Sequence, residues 1–344
     1  MSAEHFIYSK QSAFGTWVTP AKALPVVTAD LQSGREVKSM ETTGAGRAPY
    51  LHVLGAKPVT LATELPWWTV NTGTLLNQLL TTIATTNPNA GVYDHALLFD
   101  DTTTLGSISA QVKHNATVGR NALGCVVNGM TISAATKEAA RLSFDYLCKD
   151  EAKVGGVWDY DGTTSSAAIV ASPSYATLRR PFMFYDAAIV AGGTPSLASG
   201  KLSVSGGTSY TKLLNAEIKI ATNLDGDGYG LSTDPTVQEL YPGNRAIELT
   251  FEMSWTDYSL TFYDNARAGT AMAFDMALSG PVITGAFKYE AHVCLPSVFF
   301  DPVNLPAIGG DKKRRTVQVK GTAQTDTTTG VDMGLWIRTS EATL

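Results

Sequence analysis

The sequence predicts a mainly β protein that contains a duplicated strand pair, two flanking helices and long loops. Three observations favour this fold class. Apolar and polar residues alternate in several segments, and Val, Thr, Ile and aromatic residues cluster in short runs, as strands prefer. One alternating segment also occurs twice, as AARLSFDY at residues 139–146 and as AIELTFEM at residues 246–253.

The two copies keep the same residue types at matching positions. Alternate residues are apolar in both, as expected for a strand with one face in a core and the other in water. Another alternating segment precedes each copy, VVNGMTIS in the first case and LLNAEIKIA in the second. We therefore predict a duplicated strand–connection–strand unit, with a loop at residues 223–243 that is elaborated in the second copy only. The identical positions are Ala139/Ala246, Leu142/Leu249 and Phe144/Phe251.

Two segments have helical periodicity, and further strands are expected between and after them. SLTFYDNARA is followed by Gly269, a common helix stop. TGTLLNQLLTTI has an apolar face made of Leu75, Leu76, Leu79, Leu80 and Ile83. The additional predicted strands are HALLF, FMFYDAAIV, TAMAFDMAL, TGAFKYEAHVCLP, TVQVKGTAQ and GLWIRT.

Glycine, serine and threonine are concentrated in residues 155–177 and 192–211, which we predict to be loops. A link between two domains is expected near the second of these stretches. The predicted domains are residues 1–200 and residues 201–344.

Bulk properties exclude some functions. The net charge is −5, so the chain does not resemble an electrostatic nucleic-acid binder. The start, MSAEHFIYSK, does not read as a secretory signal, and no apolar run approaches the ~20 residues of a membrane helix. The three cysteines, Cys125, Cys148 and Cys294, cannot all pair within one chain. Reduced, buried thiols are the favoured interpretation, and a disulfide between Cys125 and Cys148 is the alternative.

Residues 223–234, NLDGDGYGLSTD, resemble a calcium-binding loop. Position twelve is Asp234 where a bidentate Glu is usual, position one is Asn223, and a strand precedes the loop where a helix is expected. We favour an acidic, turn-rich loop, with calcium binding as the alternative. The positions that fit the pattern are Asn223, Asp225, Asp227, Gly228 and Asp234.

Signatures of catalysis are absent from the sequence. There is no GxSxG, HExxH or paired CxxC motif, and the five histidines lack metal-ligand spacing. The basic run DKKRR at residues 311–315 has no interleaved aromatic residues, so we interpret it as a solvated or partner-facing loop. We expect no enzyme activity and no cofactor.

A duplicated sheet leaves a polar face that needs water and an edge with unpaired backbone groups. Closing the sheet into a ring across subunits removes that edge. The sequence resembles siphophage tail tube (major tail) proteins with two fused tube domains per chain. The resemblance runs through YSKQSAFGT, GRAPYL, GTLLNQLL, HALLF, VGRNALGCVVNGMTIS, AARLSFDY, PFMFYDAAIV, LLNAEIKIATNL, AIELTFEM and EAHVCLPSV.

The resemblance implies two tandem tail-tube-type β-sandwich or barrel domains, each with a flanking helix. Inner strands of neighbouring subunits would join around a channel, and a threefold ring would present six tube domains. Rings would stack on a tape-measure protein between tail terminator and tail-tip proteins, and double-stranded DNA would pass down the lumen without specific binding. The protein would be made in the host cytoplasm and end in the virion tail.

Two sets of residues are predicted to serve this function. The first set would face the channel and give it negative character: Ser143, Asp145, Glu248, Thr250 and Glu252. The second set would contact the neighbouring ring: Asp225, Asp227, Tyr229, Lys312, Lys313, Arg314 and Arg315.

Two other functions remain open at this point. One is another virion β protein, such as a capsid decoration or receptor-binding domain, which would form closed trimers or monomers. The other is a carbohydrate-active β-sandwich enzyme, which would need convergent carboxylates in a cleft, whereas the Asp and Glu residues here are spread along the chain.

Overall fold

The computed structural model describes residues 5–40, 51–99, 105–115, 117–165, 169–170, 175, 178–211, 213–231, 234–254, 260–302 and 316–344. Within these ranges the protein is mainly β, as predicted, and the sheets do not close into a barrel. Every strand pairing in them is antiparallel.

The elements of the first unit are β1 (His5–Lys10), β2 (Lys22–Leu24), β3 (Thr28–Ser33), β4 (Val37–Met40), β5 (Leu51–Leu54), β6 (Val59–Pro66), α1 (Thr72–Leu79), β7 (Thr82–Asn89), β8 (Val92–Leu98), β9 (Ser107–Lys113), β10 (Gly119–Ala135), β11 (Arg141–Cys148) and β12 (Asp150–Lys153). Those of the second unit are β13 (Ala187–Ala191), β14 (Thr194–Ala198), β15 (Lys201–Ser205), β16 (Thr208–Tyr210), β17 (Leu213–Ala221), β18 (Ala246–Ser254), α2 (Leu260–Ala268), β19 (Met272–Thr284), β20 (Phe287–Phe300), β21 (Thr316–Ala323) and β22 (Gly334–Thr339).

The two units repeat the same pattern of strand pairing. In the first unit the pairs are β1–β2, β1–β9, β3–β6, β6–β11, β9–β10, β10–β11 and β10–β12. In the second they are β13–β16, β13–β19, β17–β18, β18–β21, β19–β20, β20–β21 and β20–β22. A helix follows β6 in one unit and β18 in the other. The chain is therefore a structural duplication.

This duplication has a different alignment from the predicted one. The pairings make β3 and β6 equivalent to β17 and β18, and the sequences agree: TADLQS at 28–33 matches NAEIKI at 215–220, and VTLATELP at 59–66 matches IELTFEMS at 247–254. The predicted match of β10 and β11 with β17 and β18 is wrong, because the pairings make β10 and β11 equivalent to β20 and β21. Half-buried strands share one alternating pattern, so strands that are not equivalent can match.

The long loop of the second unit is not an elaboration of one copy. Residues 222–245 join β17 to β18, and residues 34–58 join the equivalent strands β3 and β6 in the first unit. Both units therefore carry a long connection at the same place, and the first contains the β4–β5 hairpin. The prediction that only the second copy has such a loop is corrected by this pairing.

Strand β10 belongs to two sheets. Its first part pairs with β9 and β12, and its second part pairs with β11 and β17. The register shifts between Ala122 and Cys125, around Gly124, which has a φ of 63°. A Cβ atom at Gly124 would lie 2.9 Å from the Cβ of Lys149. Glycine therefore allows the strand to turn from one layer of the sandwich into the other.

The helices cover the apolar side of the sheets, as predicted. Every residue of α1 is buried, but this helix ends at Leu79, and Ile83 instead lies in β7 with 39% exposure. Helix α2 ends before Gly269, whose φ is 63°. It places Phe262 between Phe251 and Phe300, with ring centroids 5.5 and 5.2 Å away. Residues of both units form one continuous hydrophobic core.

Residues 192–211 are not a loop, contrary to the prediction. They form β14, β15 and β16, and the turn between β14 and β15 uses Ser199 and Gly200 with positive φ. Glycine and serine thus mark tight turns between short strands here. The segment FMFYDAAIV begins with a 3-10 turn, Phe184–Asp186, and its strand starts at Ala187.

A second contact joins the two units. Strand β22 pairs with β20 on one side and with β8 on the other, and β7 continues this sheet. Among the described residues, the β7–β8 hairpin occurs only in the first unit, and the β14–β15 hairpin only in the second. The predicted division at residue 200 falls in the turn between β14 and β15.

Candidate tube-lining face

One continuous sheet crosses both units and has two different faces. Its order is β3–β6–β11–β10–β17–β18–β21, and the end of β20 pairs with β21 as an eighth strand. Residues alternate between core and surface along each strand; in β18, Leu249 and Phe251 are buried, Glu248 is exposed, and Thr250 and Glu252 are half-buried. We call the outward side of this sheet the polar face.

All five residues predicted to face the channel lie on the polar face. Ser143 is opposite Thr131, which is opposite Lys219, which in turn is opposite Glu248. The five residues are thus brought together by four neighbouring strands. The same strand registers place the remaining three residues: Asp145 is opposite Gly129, Thr250 is opposite Glu217, and Glu252 is opposite Asn215.

The polar face is acidic overall. On its strands six carboxylates stand against three cations, which gives a net charge of −3. These carboxylates belong to Asp30, Glu64, Asp145, Glu217, Glu248 and Glu252, and the cations to Arg141, Lys219 and Lys320.

Local contacts hold part of this charge in place. Arg141 forms ion pairs with Glu64 and with Glu138, and the hydrogen bond to Glu64 raises the pKa of the Arg141 guanidinium. The Nδ2 of Asn215 donates to Glu252 at 3.1 Å. Lys219 lies 3.4 Å from Glu217. Asp145 and Glu248 are exposed and form no ion pair with another residue in the described ranges.

Several charged residues of this face were missed from the sequence. Asp30 and Glu64 lie on β3 and β6, which were not recognised as strands, and Lys320 lies on β21. The signal that identifies them is the match of TADLQS and VTLATELP with the two strands of the second unit. Glu64 and Glu252 are equivalent in that match, since they lie opposite Ser143 and Gln318 in equivalent strand pairs.

The predicted ring-contact residues Asp225, Asp227 and Tyr229 lie in the loop after β17. The loop folds back on itself: the N–H of Asp225 donates to the carbonyl oxygen of Tyr241 at 2.8 Å. The Asp225 carboxylate accepts from the Asp227 N–H, and Asp234 accepts from the N–H and hydroxyl of Thr236. These carboxylates thus serve as turn caps within the loop. Lys312, Lys313, Arg314 and Arg315 lie outside the described residues.

The two long loops contact each other and are anchored by a buried ion pair. The N–H of Lys57 donates to the carbonyl oxygen of Pro235 at 3.0 Å. Its Nζ lies 2.8 Å from Asp150, whose carboxylate is fully buried, and 2.6 Å from Asp159. Burial alone would lower the pKa of Lys57, but hydrogen bonds to Asp150 and Asp159 raise it. This ion pair fixes the base of the first loop.

No group of three or more His, Cys, Asp or Glu residues in the described part of the chain could hold a metal ion. Among the same residues, no helix is long and apolar enough to cross a membrane.

Comparison with known proteins identifies the family. No curated protein matches the chain. The model of the phage tail tube protein family matches residues 3–327, which is nearly the whole sequence. The chain therefore belongs to the phage tail tube protein family.

Proposed function

We propose that the protein assembles into stacked rings that form the hollow tail tube of a long-tailed, non-contractile phage. Membership of the family indicates a structural role in the virion tail. The observation that supports the finer proposal best is the continuous sheet with an apolar side in the core and an acidic side in water. We propose one tube domain per unit; the repeated pairings favour a boundary between β12 and β13, before residue 200.

Ring closure would repeat between chains a contact that already exists within the chain. Strand β17 of the second unit pairs with β10 of the first, from Asn215–Ala221 to Gly129–Ala135. The equivalent strand of the first unit, β3, pairs only with β6 among the described strands. In an incoming chain the segment after Phe300 is the equivalent of the part of β10 that pairs with β17. We propose that this segment, most of which lies outside the described residues, pairs with the edge of β3. Such pairing removes an edge that would otherwise invite aggregation.

Three chains are the smallest number that fits this arrangement. Each chain supplies eight strands to the inner sheet. At a strand spacing of about 4.8 Å, three chains give a ring with a circumference of roughly 115 Å and a backbone diameter of roughly 37 Å, and strand tilt widens it further. A threefold ring would therefore enclose a bore wide enough for a DNA duplex.

The polar face would line this bore. Its net charge of −3 per chain, repeated three times in each ring, would repel the phosphates of passing double-stranded DNA. The duplex would then slide through without specific binding. Ser143, Asp145, Glu248, Thr250 and Glu252 are the residues that we propose for this role.

Stacking of rings would use the two ends of the inner strands. At one end, the loop after β17 carries fully exposed Leu231 and exposed Tyr241, with Asp225 and Asp227 beside them. At the other end, where β17 begins, lies a groove lined mainly by apolar residues, which include Phe184 and Tyr185. These ends are about 27 Å apart along the nine residues of β17. We propose that the loop of one ring enters the groove of the next.

Charge complements this contact. Lys137 is exposed next to Glu138, whose carbonyl oxygen accepts the Phe184 N–H, whereas the nearby Arg180 guanidinium is paired with Asp186. Lys137 would face the acidic loop and help to set the register of the rings. We also propose Lys312–Arg315 for this contact. The tape-measure, tail terminator and tail-tip proteins are the further partners proposed, with assembly in the host cytoplasm.

Electron cryomicroscopy of the purified, concentrated protein tests the proposal. We expect filaments with a central bore, three chains per ring and Glu248 exposed to the bore. Closed trimers or monomers without filaments would favour a decoration or receptor-binding protein and overturn the proposal. Filaments with the polar face on their outer surface would also contradict it.

A further inference from the structure

Two of the three cysteines meet in the core beneath the polar face. β10 and β11 pair Val126 with Leu147, so that Cys125 and Cys148 take the next opposite positions. Their Sγ atoms are 2.7 Å apart, and both side chains are buried. The third cysteine, Cys294, lies on β20 opposite Asp275, in the other unit.

The backbone around this pair suits a disulfide. Opposite residues of antiparallel strands have Cα atoms about 4.5–5.5 Å apart, which lies within the range that disulfides require. β11 is fixed on its other side by β6, where Cys148 is opposite Val59. The bond would therefore join two strands that are already held side by side, without a rearrangement of the sheet.

We propose that Cys125 and Cys148 are a cross-link site that closes to a disulfide when the chain meets a disulfide oxidant such as oxidised glutathione. One thiolate attacks the oxidant, forms a mixed disulfide and releases one molecule of reduced glutathione. The second thiolate then displaces a second molecule of reduced glutathione. Two thiol protons and two electrons leave the protein, one S–S bond of the oxidant breaks, and one S–S bond forms between β10 and β11.

Burial of the two thiols determines when the disulfide between Cys125 and Cys148 can form. Desolvation raises the pKa of the Cys148 thiol, so the reactive thiolate is scarce while the strands are closed. The oxidant must therefore act during folding or through local opening of β10 and β11. Once formed, the bond would lie on the core side of the sheet. It would close a loop that includes Arg141, Ser143 and Asp145 while leaving the polar face unchanged.

The test is refolding of the full chain in oxidised glutathione, followed by denaturation, alkylation and peptide mapping. We expect a mass loss of about 2 Da, one linked peptide pair that contains Cys125 and Cys148, and an alkylated Cys294. The midpoint of thermal unfolding should rise by about 5 °C and return to its starting value after reduction.

Two variants make the result specific. The Cys294→Ser variant should form the same bond, and the Cys148→Ser variant should not lose the 2 Da. Three alkylated thiols in the refolded protein, or only mixed disulfides with glutathione, would overturn the proposal. So would a bond that involves Cys294. None of these outcomes depends on tube assembly, because the experiment uses the single chain.

Discussion

Met130 on β10 lies directly opposite Ile220 on β17, and this pair joins the cores of the two units across a continuous sheet. Both side chains are buried, with 1% exposure each. The contact shows how the second unit fits against the first. The edge of β3, which no other described strand covers, is the equivalent position at the other end of the same sheet.

The Ala29→Pro variant tests this edge. The N–H of Gly34 donates to Pro58, and the Leu31 carbonyl oxygen accepts from Arg120, so odd-numbered residues of β3 point their backbone groups away from β6. Proline at position 29 removes an outward donor and keeps the β3–β6 ladder. We expect a folded chain, changed by at most about 1 kcal/mol in its free energy of unfolding, that no longer forms tubes in electron micrographs. Normal tubes would refute the role of this edge.

Charge reversal tests the bore. The Asp145→Lys/Glu248→Lys variant replaces two carboxylates without ion-pair partners among the described residues. We expect tubes that retain DNA in co-sedimentation at low salt and release it as salt rises, because phosphate contacts displace counterions. The control is Asp264→Lys, an exposed site on α2. Equal DNA retention by both variants would show that the polar face does not meet DNA.

Removal of the apolar loop tip tests stacking. The Leu231→Asp variant places a charge where the proposed contact needs an apolar group. We expect intact rings or single chains with few or short tubes, measured by filament length and light scattering. Val282→Asp is the matched control, since Val282 is also exposed but lies in the β19–β20 hairpin. Equal filament lengths and equal light scattering for the two variants would show that the Leu231 loop is not the stacking contact.

The Lys57→Met variant tests the anchor of the long loops. It leaves the fully buried Asp150 carboxylate without its cation, which should cost about 3 kcal/mol in the free energy of unfolding. Chemical denaturation measures this loss. The control is Lys219→Met, in which an exposed pair with Glu217 is lost, at a cost below about 1 kcal/mol. Equal effects of the two variants would contradict the assignment.

Acid stability should depend on Glu151. Burial alone would raise its pKa, but hydrogen bonds from Arg120 and Ser33 lower it. A carboxyl whose pKa is lower in the folded state stabilises the protein above its unfolded pKa of about 4.3 and loses this contribution as the pH falls towards the folded value. The free energy of unfolding is measured by denaturation from about pH 6 to pH 3. It should fall less with pH in the Glu151→Gln variant than in the wild type, and the Arg120→Gln variant should show the same smaller fall. Parallel curves for wild type and both variants would disprove the linkage.

Sequence patterns predicted much of the fold because burial imposes periodicity. The alternation in residues 246–253 identified β18 and three of its polar-face residues, and the leucines of α1 identified a buried helix. The five residues predicted to face the channel lie on one face of the sheet for the same reason: strand parity alone determines the face.

The correct alignment of the duplication was missed for an equally physical reason. Alternation says which residues are buried but not which strands are neighbours, so β11 and β18 looked equivalent although β11 corresponds to β21. TADLQS is short, and its partner VTLATELP ends in proline, which weakened both as strand signals. The meeting of Cys125 and Cys148 depended on strand register, which spacing alone does not give.

Fusion of the two units would have a consequence for the proposed tube. Among the described residues, the β7–β8 hairpin belongs to the first unit alone and the β14–β15 hairpin to the second alone. A ring of identical one-unit subunits would carry the same hairpin at every position. A ring of fused chains would instead carry the two hairpins alternately around its circumference, so that one could vary in sequence while the other unit stayed constant.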